Sequence, residues 1–223
     1  MIVVLGSRHD PVAAALVESW PGAALCSAED LTRPGWAWRS PPSGAAWWVV
    51  DGRIVADDEV SGVFVRRSTV YPEELLSTHA DDRAYLAAEA HAFLVFVLAT
   101  TRARVANPVG DGSLGEESVR AERWLAAADE VGVAVAPLRM ASDRAATRSW
   151  RPVVVEAVGD EVFGAAPART LAAAGRLSAH LGLVWATFVF DGRQRLRSVT
   201  ASRAPGRDAT RALGRLLARP VAA

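Results

Sequence analysis

The sequence predicts an α/β protein, with parallel strands and helices in its amino-terminal part and a smaller α+β part after it. Three observations predict this. The chain opens on an apolar run, IVVL at 2–5, and within five residues reaches a capped helix start at Asp10-Pro11. A strand ending at Asn107-Pro108 and a following helix repeat that strand–helix order. The last 70 or so residues instead carry Gly159-Asp160 and Asp191-Gly192, each between apolar runs, which is hairpin chemistry.

In chain order, the first helix runs to about Trp20 and stops at Pro21-Gly22. Residues 27–44 read as loop, broken by Pro34, Gly35, Pro41, Pro42 and Gly44. AAWWVV, Asp51-Gly52 and RIVA form a hairpin, because Asp-Gly suits a type I′ turn. SGVFVRR at 61–67 is a strand ending in two arginines. A long helix covers about 80–100, with Tyr85, Glu89, Phe93 and Phe96 on an apolar face widened by Leu86, Leu94 and Val97. ARVANP at 103–108 is a strand stopped by Pro108. The next helix, capped at Ser113 or Ser118, carries Trp124 and ends at Gly132, and VAVAPL is a further strand. Residues 141–151 are polar and aperiodic, which sets domains at 1–140 and 141–223. Beyond them come two strands around Gly159-Asp160, a helix from Pro167 to Gly182, two strands around Asp191-Gly192 and a helix at 207–218. The strands at 153–155 and 185–190 are apolar on both faces. They therefore need cover on both: the helix at 167–182 on one, and the amino-terminal domain or a second copy in a homodimer on the other.

Composition limits function. Hydrophobic content of 51% and charge of 22% fit an ordinary globular chain. Zero formal net charge gives no electrostatic case for nucleic acid or for a membrane surface. No apolar run reads as a membrane span, and the amino terminus lacks the pattern of a signal peptide. A single cysteine, Cys26, forms no internal disulfide, so a cytoplasmic location is expected. Among the 223 residues there is no lysine, and all 25 Lys+Arg positions are arginine. Schiff-base chemistry and a P-loop lysine are excluded with it. HExxH, CxxC and G-x-S-x-G are also absent, which leaves a zinc site or a serine hydrolase without support.

The order of motifs resembles the ATP-grasp family, in particular the peptide-maturase and glutathione synthetase-like ligases. The resemblance is carried by VFVRR, EAHAF, VANP, WLAAADEVGVAVAP, AVGDEVFGA and LGLVWATFVFDG. It implies a pre-ATP-grasp-like parallel sheet with helices, then a shortened ATP-grasp-like α+β remnant. It also implies an ATP-dependent joining of carboxylate and amine. The departures matter. The family's two nucleotide-contacting lysines have no counterpart. Between Pro137 and Pro152 there is only a loop's length where the family places its lid. Thr200 and Ser202 stand where the family's Glu-x-Asn magnesium ligands would be, leaving Asp191 as the one upstream acid. No cofactor and no metal are expected.

Arg66 and Arg67 alternate, so one is expected at the surface and the other at a strand end. The resemblance puts Arg66 near the acceptor substrate, as a carboxylate clamp; pairing with Glu89 or Asp58 is the structural alternative. Asn107 either faces the same crevice or caps a turn. Glu89, set on an apolar helix, needs an arginine partner, and Tyr85 packs one turn before it. His9 is the histidine at the crevice edge, so His9 and Glu89 are the catalytic candidates. Arg66, Arg67, Asn107 and Tyr85 are the substrate-binding candidates. Trp36, Trp38, Trp47 and Trp48 either pack or form a partner surface. The expected function is a degenerate ATP-grasp-like protein, without ATP hydrolysis, that binds a small acidic molecule or a protein partner in a biosynthetic pathway. The alternatives are changed chemistry in the inherited crevice, or a ligase using arginines in place of lysines.

Overall fold

The computed structural model describes residues 1–38, 46–107, 109, 114, 120–137, 151–201 and 203–219. Two compact units divide the chain. One comprises Met1–Glu116 and Leu213–Ala223, the other Glu117–Ala212. The predicted hinge at 141–151 lies outside the described residues except for Arg151, as do Pro108, the capping serines and Ser202.

The first unit begins with β1 (Ile2–Leu5), wholly buried, and α1 (Pro11–Ser19). Asp10 caps α1 by accepting from the Val12 N–H at 2.9 Å. β2 (Ala23–Cys26) then pairs parallel with β1, and α2 (Ala28–Leu31) is a single turn. Sequence reading missed both, since AALC is short and alanine-rich and its pairing with β1 is what makes it a strand. The hairpin β3 (Trp47–Val50) and β4 (Arg53–Ala56) forms as expected, with Asp51 at φ 50° and Gly52 at φ 72°. β5 (Gly62–Val65) lies on the other side of β1, and β6 (Arg104–Val105) pairs with β5. The sheet order β2-β1-β5-β6 is fully parallel. Gly62 sits where a Cβ would lie 2.5 Å from the Leu217 carbonyl oxygen, so the carboxyl-terminal turn of α6 (Arg207–Ala218) presses directly on the backbone of β5.

α3 (Arg83–Thr100) follows a 3-10 turn at Ala80–Asp82, and together they are long and apolar enough to cross a membrane by length and composition. That corrects the reading that no run reaches such a length. In this fold one narrow face of the helix, formed by Ala87, Leu94, Val97 and Leu98, packs into the core of the unit. Its buried face is only partly the expected one: Leu94 and Val97 are buried, and Leu86 and Phe93 pack against the core. Tyr85 is 71% exposed, and Glu89 is also exposed. An alanine-rich helix has little polar contrast, so its hydrophobic periodicity does not select the buried stripe. Trp48 is fully buried, and Trp36, tilted, and Trp38, edge-on, each pack on it with ring centroids 5.6 Å apart. The tryptophan loop is therefore core rather than a partner surface, with Trp47 on the outward side of β3.

The second unit holds α4 (Ala121–Glu130), β7 (Val153–Val158), β8 (Glu161–Phe163), α5 (Ala168–Leu181), β9 (Trp185–Phe190) and β10 (Leu196–Thr200). Gly182, at φ 66°, closes α5. The sheet order is β10-β9-β7-β8, all antiparallel. Residues 133–137 of VAVAPL form no strand, and Leu138 lies outside the described residues. Only Val135 bridges to Leu196, and Pro137 follows two residues later. Val155, Ala157, Ala186 and Phe188 form a core with Trp124, Ala128, Ala174 and Leu177 from α4 and α5. On the opposite face Trp185 and Thr187 are also buried, while Val154 stays 36% exposed. Gly206, leading into α6, donates its N–H to Glu156 of that second face at 2.9 Å.

Candidate functional site

The carboxyl ends of β1, β2 and β5 lie side by side, and in open α/β sheets this edge holds ligands where the strand order reverses. Here the chain leaves β1 towards β2 on one side and returns to β5 on the other. Gly6 makes the exit possible, since a Cβ there would meet the Ala13 Cβ at 3.2 Å and the Arg66 Cβ at 3.4 Å. A cavity of about 120 Å³ opens above these ends. Ser7, Arg8 and His9 line it from the β1 loop, Ser27 and Glu29 from the β2 end, and Glu73, Glu74 and Leu76 from the segment after β5.

The arginines after β5 are both engaged. Arg66 donates its Nε to Asp10 Oδ2 at 3.0 Å, so one carboxylate caps α1 and also holds Arg66. Neither Glu89 nor Asp58 is the carboxylate in that pair. Arg67, expected on the other face, is no surface residue either: its side chain is 4% exposed. Its Nη2 donates to the Gly6 carbonyl at 3.1 Å and to Glu74 Oε1 at 2.9 Å. That pair draws the segment carrying Glu73 and Glu74 onto the end of β1.

Beneath the cavity, Asp30 is buried and fully used. Its Oδ2 accepts from the Ser27 N–H at 2.8 Å and the Ser27 hydroxyl at 3.1 Å, and its Oδ1 accepts from the Gly52 N–H at 2.9 Å. Cys26 is completely buried. Burial first, then the Asp30 carboxylate, pushes its thiol well above the ordinary range, and Arg67 offsets only part of this. A thiol held protonated is a poor nucleophile.

Of the sequence candidates, His9 lines the cavity, and its side chain is exposed. Arg66, Arg67, Asn107, Glu89 and Tyr85 are not in the lining. Asn107 is half-buried just past β6, while Glu89 and Tyr85 point to solvent from α3. Sequence reading missed Glu29, Glu73 and Glu74, because only the strand order brings them to one cavity.

In the second unit, Asp191 is buried and heavily bonded. Oδ1 accepts from the Arg193 N–H at 2.9 Å and the Arg195 N–H at 3.0 Å. Oδ2 accepts from Arg195 Nε at 3.0 Å and Nη2 at 2.8 Å, and Arg197 Nη2 lies 3.6 Å away. The register shifts between Leu196 and Ser198, a bulge that frees Arg197 from the ladder. Burial alone would raise this carboxyl, but the Arg195 N–H, the Arg195 guanidinium and the Arg193 N–H together hold it below the usual carboxylate range. A magnesium ion would have to displace an arginine to use Oδ2, and Thr200 offers it only a neutral hydroxyl. These residues do not fit a magnesium–nucleotide centre. Among the described residues no three His, Cys, Asp or Glu side chains gather as a metal site.

No family model matches the chain, and no curated protein matches it. Solved structures do. The macrocyclase MdnC of Microcystis aeruginosa MRC, bound with precursor peptide MdnA, superposes with a TM-score of 0.68 at 10% identity, covering 97% of this chain and 99% of that one. The macrocyclase MdnB of the same organism gives 0.64 at 14% identity, covering 97% and 99%. A RiPP-associated ATP-grasp ligase of Chryseobacterium gregarium, in complex with ADP and a leader and core peptide, gives 0.66 at 9%, covering 97% and 96%. Likeness over nearly the whole of both chains at such low identity is a statement about architecture: this chain has an ATP-grasp-like fold.

Proposed function

We propose that this ATP-grasp-like protein binds a peptide partner in a biosynthetic pathway and does not itself transfer phosphate from ATP. The observation that carries the reading is Asp191, whose carboxylate is taken up by Arg195, Arg197 and two backbone N–H groups. Ligation through an acyl phosphate needs a carboxylate-held Mg²⁺ and cationic groups on the transferring phosphate. The chain has no lysine for the second task and no free acid at Asp191 for the first. A peptide is the favoured partner because structures of this fold are described with precursor, leader or core peptides bound. A small acidic molecule is disfavoured, because three glutamates line the cavity against one arginine. The cytoplasmic location belongs to the same proposal. Calorimetric titration with Mg-ATP tests it. No binding is expected at millimolar nucleotide, and micromolar binding refutes the reading.

The second reading is an ATP-dependent ligase that holds phosphate with arginines. It is favoured by the likeness to ligases solved with ADP or AMPPNP. Arginine binds phosphate as a planar fork and not as a point charge, so the geometry of such a site would differ from a lysine-based one. The same titration decides between the two.

A further inference from the structure

The charges around the cavity can be matched one against one. Glu29 pairs with Arg8 at 2.9 Å, and Glu74 pairs with Arg67 at 2.9 Å. Glu74 also accepts from the Tyr71 N–H at 3.2 Å. Arg67 is 7% exposed, and its Nε and Nη1 have no hydrogen-bond partner, so Glu74 is its one carboxylate among the described residues. A buried guanidinium so poorly satisfied will not release that carboxylate to a ligand. Glu73 is left over. It lines the cavity, is exposed, and pairs with no cation among the described residues. The same short segment exposes Tyr71 (50%) and Leu76 (74%), an aromatic and an aliphatic group on either side of Glu73. The volume of about 120 Å³ is well under the ~300–1,000 Å³ of a whole-metabolite pocket and suits one side chain.

A free carboxylate in a segment that exposes apolar groups is complementary to a cation on an apolar stem. We propose that this cavity seats a basic residue of the peptide partner, with Glu73 taking its guanidinium or ammonium group and Tyr71 and Leu76 packing on an adjoining apolar residue. The proposal rests on the reading that the partner is a peptide. It reverses the expected sign of the ligand, from acidic to basic.

Amide NMR shifts of the full chain, titrated with the capped tripeptide Leu-Arg-Leu, provide the test. Shifts are expected at Ser7–His9 and Glu73–Leu76. Binding should be about three- to fivefold weaker for the citrulline tripeptide and for Glu73→Gln, the range of a solvent-exposed ion pair, and should weaken further with salt. Equal binding of the citrulline or Leu-Glu-Leu tripeptide overturns the proposal, as does an absence of shifts at those amides up to millimolar peptide. Mg-ATP added to the same sample separates the two ideas. Nucleotide shifts sink the non-ligase reading whatever the tripeptides do, and silent tripeptides sink the cavity assignment alone.

Discussion

Asp191→Asn should measure how firmly the β9–β10 hairpin depends on one buried carboxylate. The substitution keeps a carbonyl at Oδ1, so the Arg193 and Arg195 N–H groups retain their acceptor. At Oδ2 it puts an NH₂ against Arg195 Nε and Nη2, which turns two charge-assisted bonds at 3.0 and 2.8 Å into donor against donor. Hydrogen bonds to charged groups contribute ~1.5–3 kcal/mol. The Arg195 side chain is 31% exposed and can turn to water, so the lower half of that range is expected. For a chain of this size each kcal/mol is worth roughly 2–4 °C, and melting followed by circular dichroism should fall by roughly 3–9 °C. The effect must vanish in acid. The folded carboxyl lies below its ordinary value of 3.8, so its contribution is present above that value and disappears as pH drops through the lowered one. Wild type and variant should converge there. An unchanged midpoint at pH 7 would refute the reasoning. So would full additivity of Asp191→Asn with Arg195→Met, because a shared contact must show coupling.

Three further outcomes are expected. Gly62→Ala should destabilise by at least ~2–3 kcal/mol in thermal melts, because its Cβ would lie 2.5 Å from a backbone oxygen of Leu217 and 2.9 Å from its Cα. Asp57→Ala should cost about 3–4 kcal/mol in urea unfolding, since Trp48 Nε1 at 2.8 Å, Thr101 Oγ1 at 2.6 Å and the Arg102 N–H at 3.2 Å all lose their acceptor. Tyr85→Ala and Glu89→Ala should each stay within about 0.5 kcal/mol, and a larger loss for either would restore the buried face that the sequence suggested for α3.

Where the sequence carried local punctuation, its reading matched the fold. Asp10-Pro11, Asp51-Gly52, Gly159-Asp160 and Gly182 each fix a cap or turn by their own conformational chemistry, while the turn at Asp191-Gly192 takes its left-handed residue at Gln194, φ 61°. Where an element depends on a distant partner, the reading failed. β2 is a strand because Ile2 to Leu5 pair with Ala23 to Cys26, and residues 133–137 are not one because the edge of β10 takes only Val135. The candidate site was half legible. His9 was found because it follows the first strand. Glu29, Glu73 and Glu74 were not, because they reach one cavity only through the order β2-β1-β5.

A lysine-free chain also changes what its carboxylates do. Arginine is always charged, less strongly hydrated than an ammonium, and presents a planar fork, so it tolerates burial beside an acid better than lysine does. Three acids in or beside the regions singled out by sequence are engaged in this way: Asp10 by Arg66, Glu74 by Arg67, and Asp191 by Arg195 with Arg197 near. Each pair ties one segment to another: α1 to the end of β5, the 71–76 segment to β1, and the β9–β10 turn to itself. A carboxylate engaged in this way holds structure at the expense of chemistry, since a substrate or metal must first break a charge-assisted contact to reach it. Groups left outside such pairs therefore identify a working surface better than titratable residues do in general. Among the residues that line the first unit's cavity, that criterion selects Glu73 and His9.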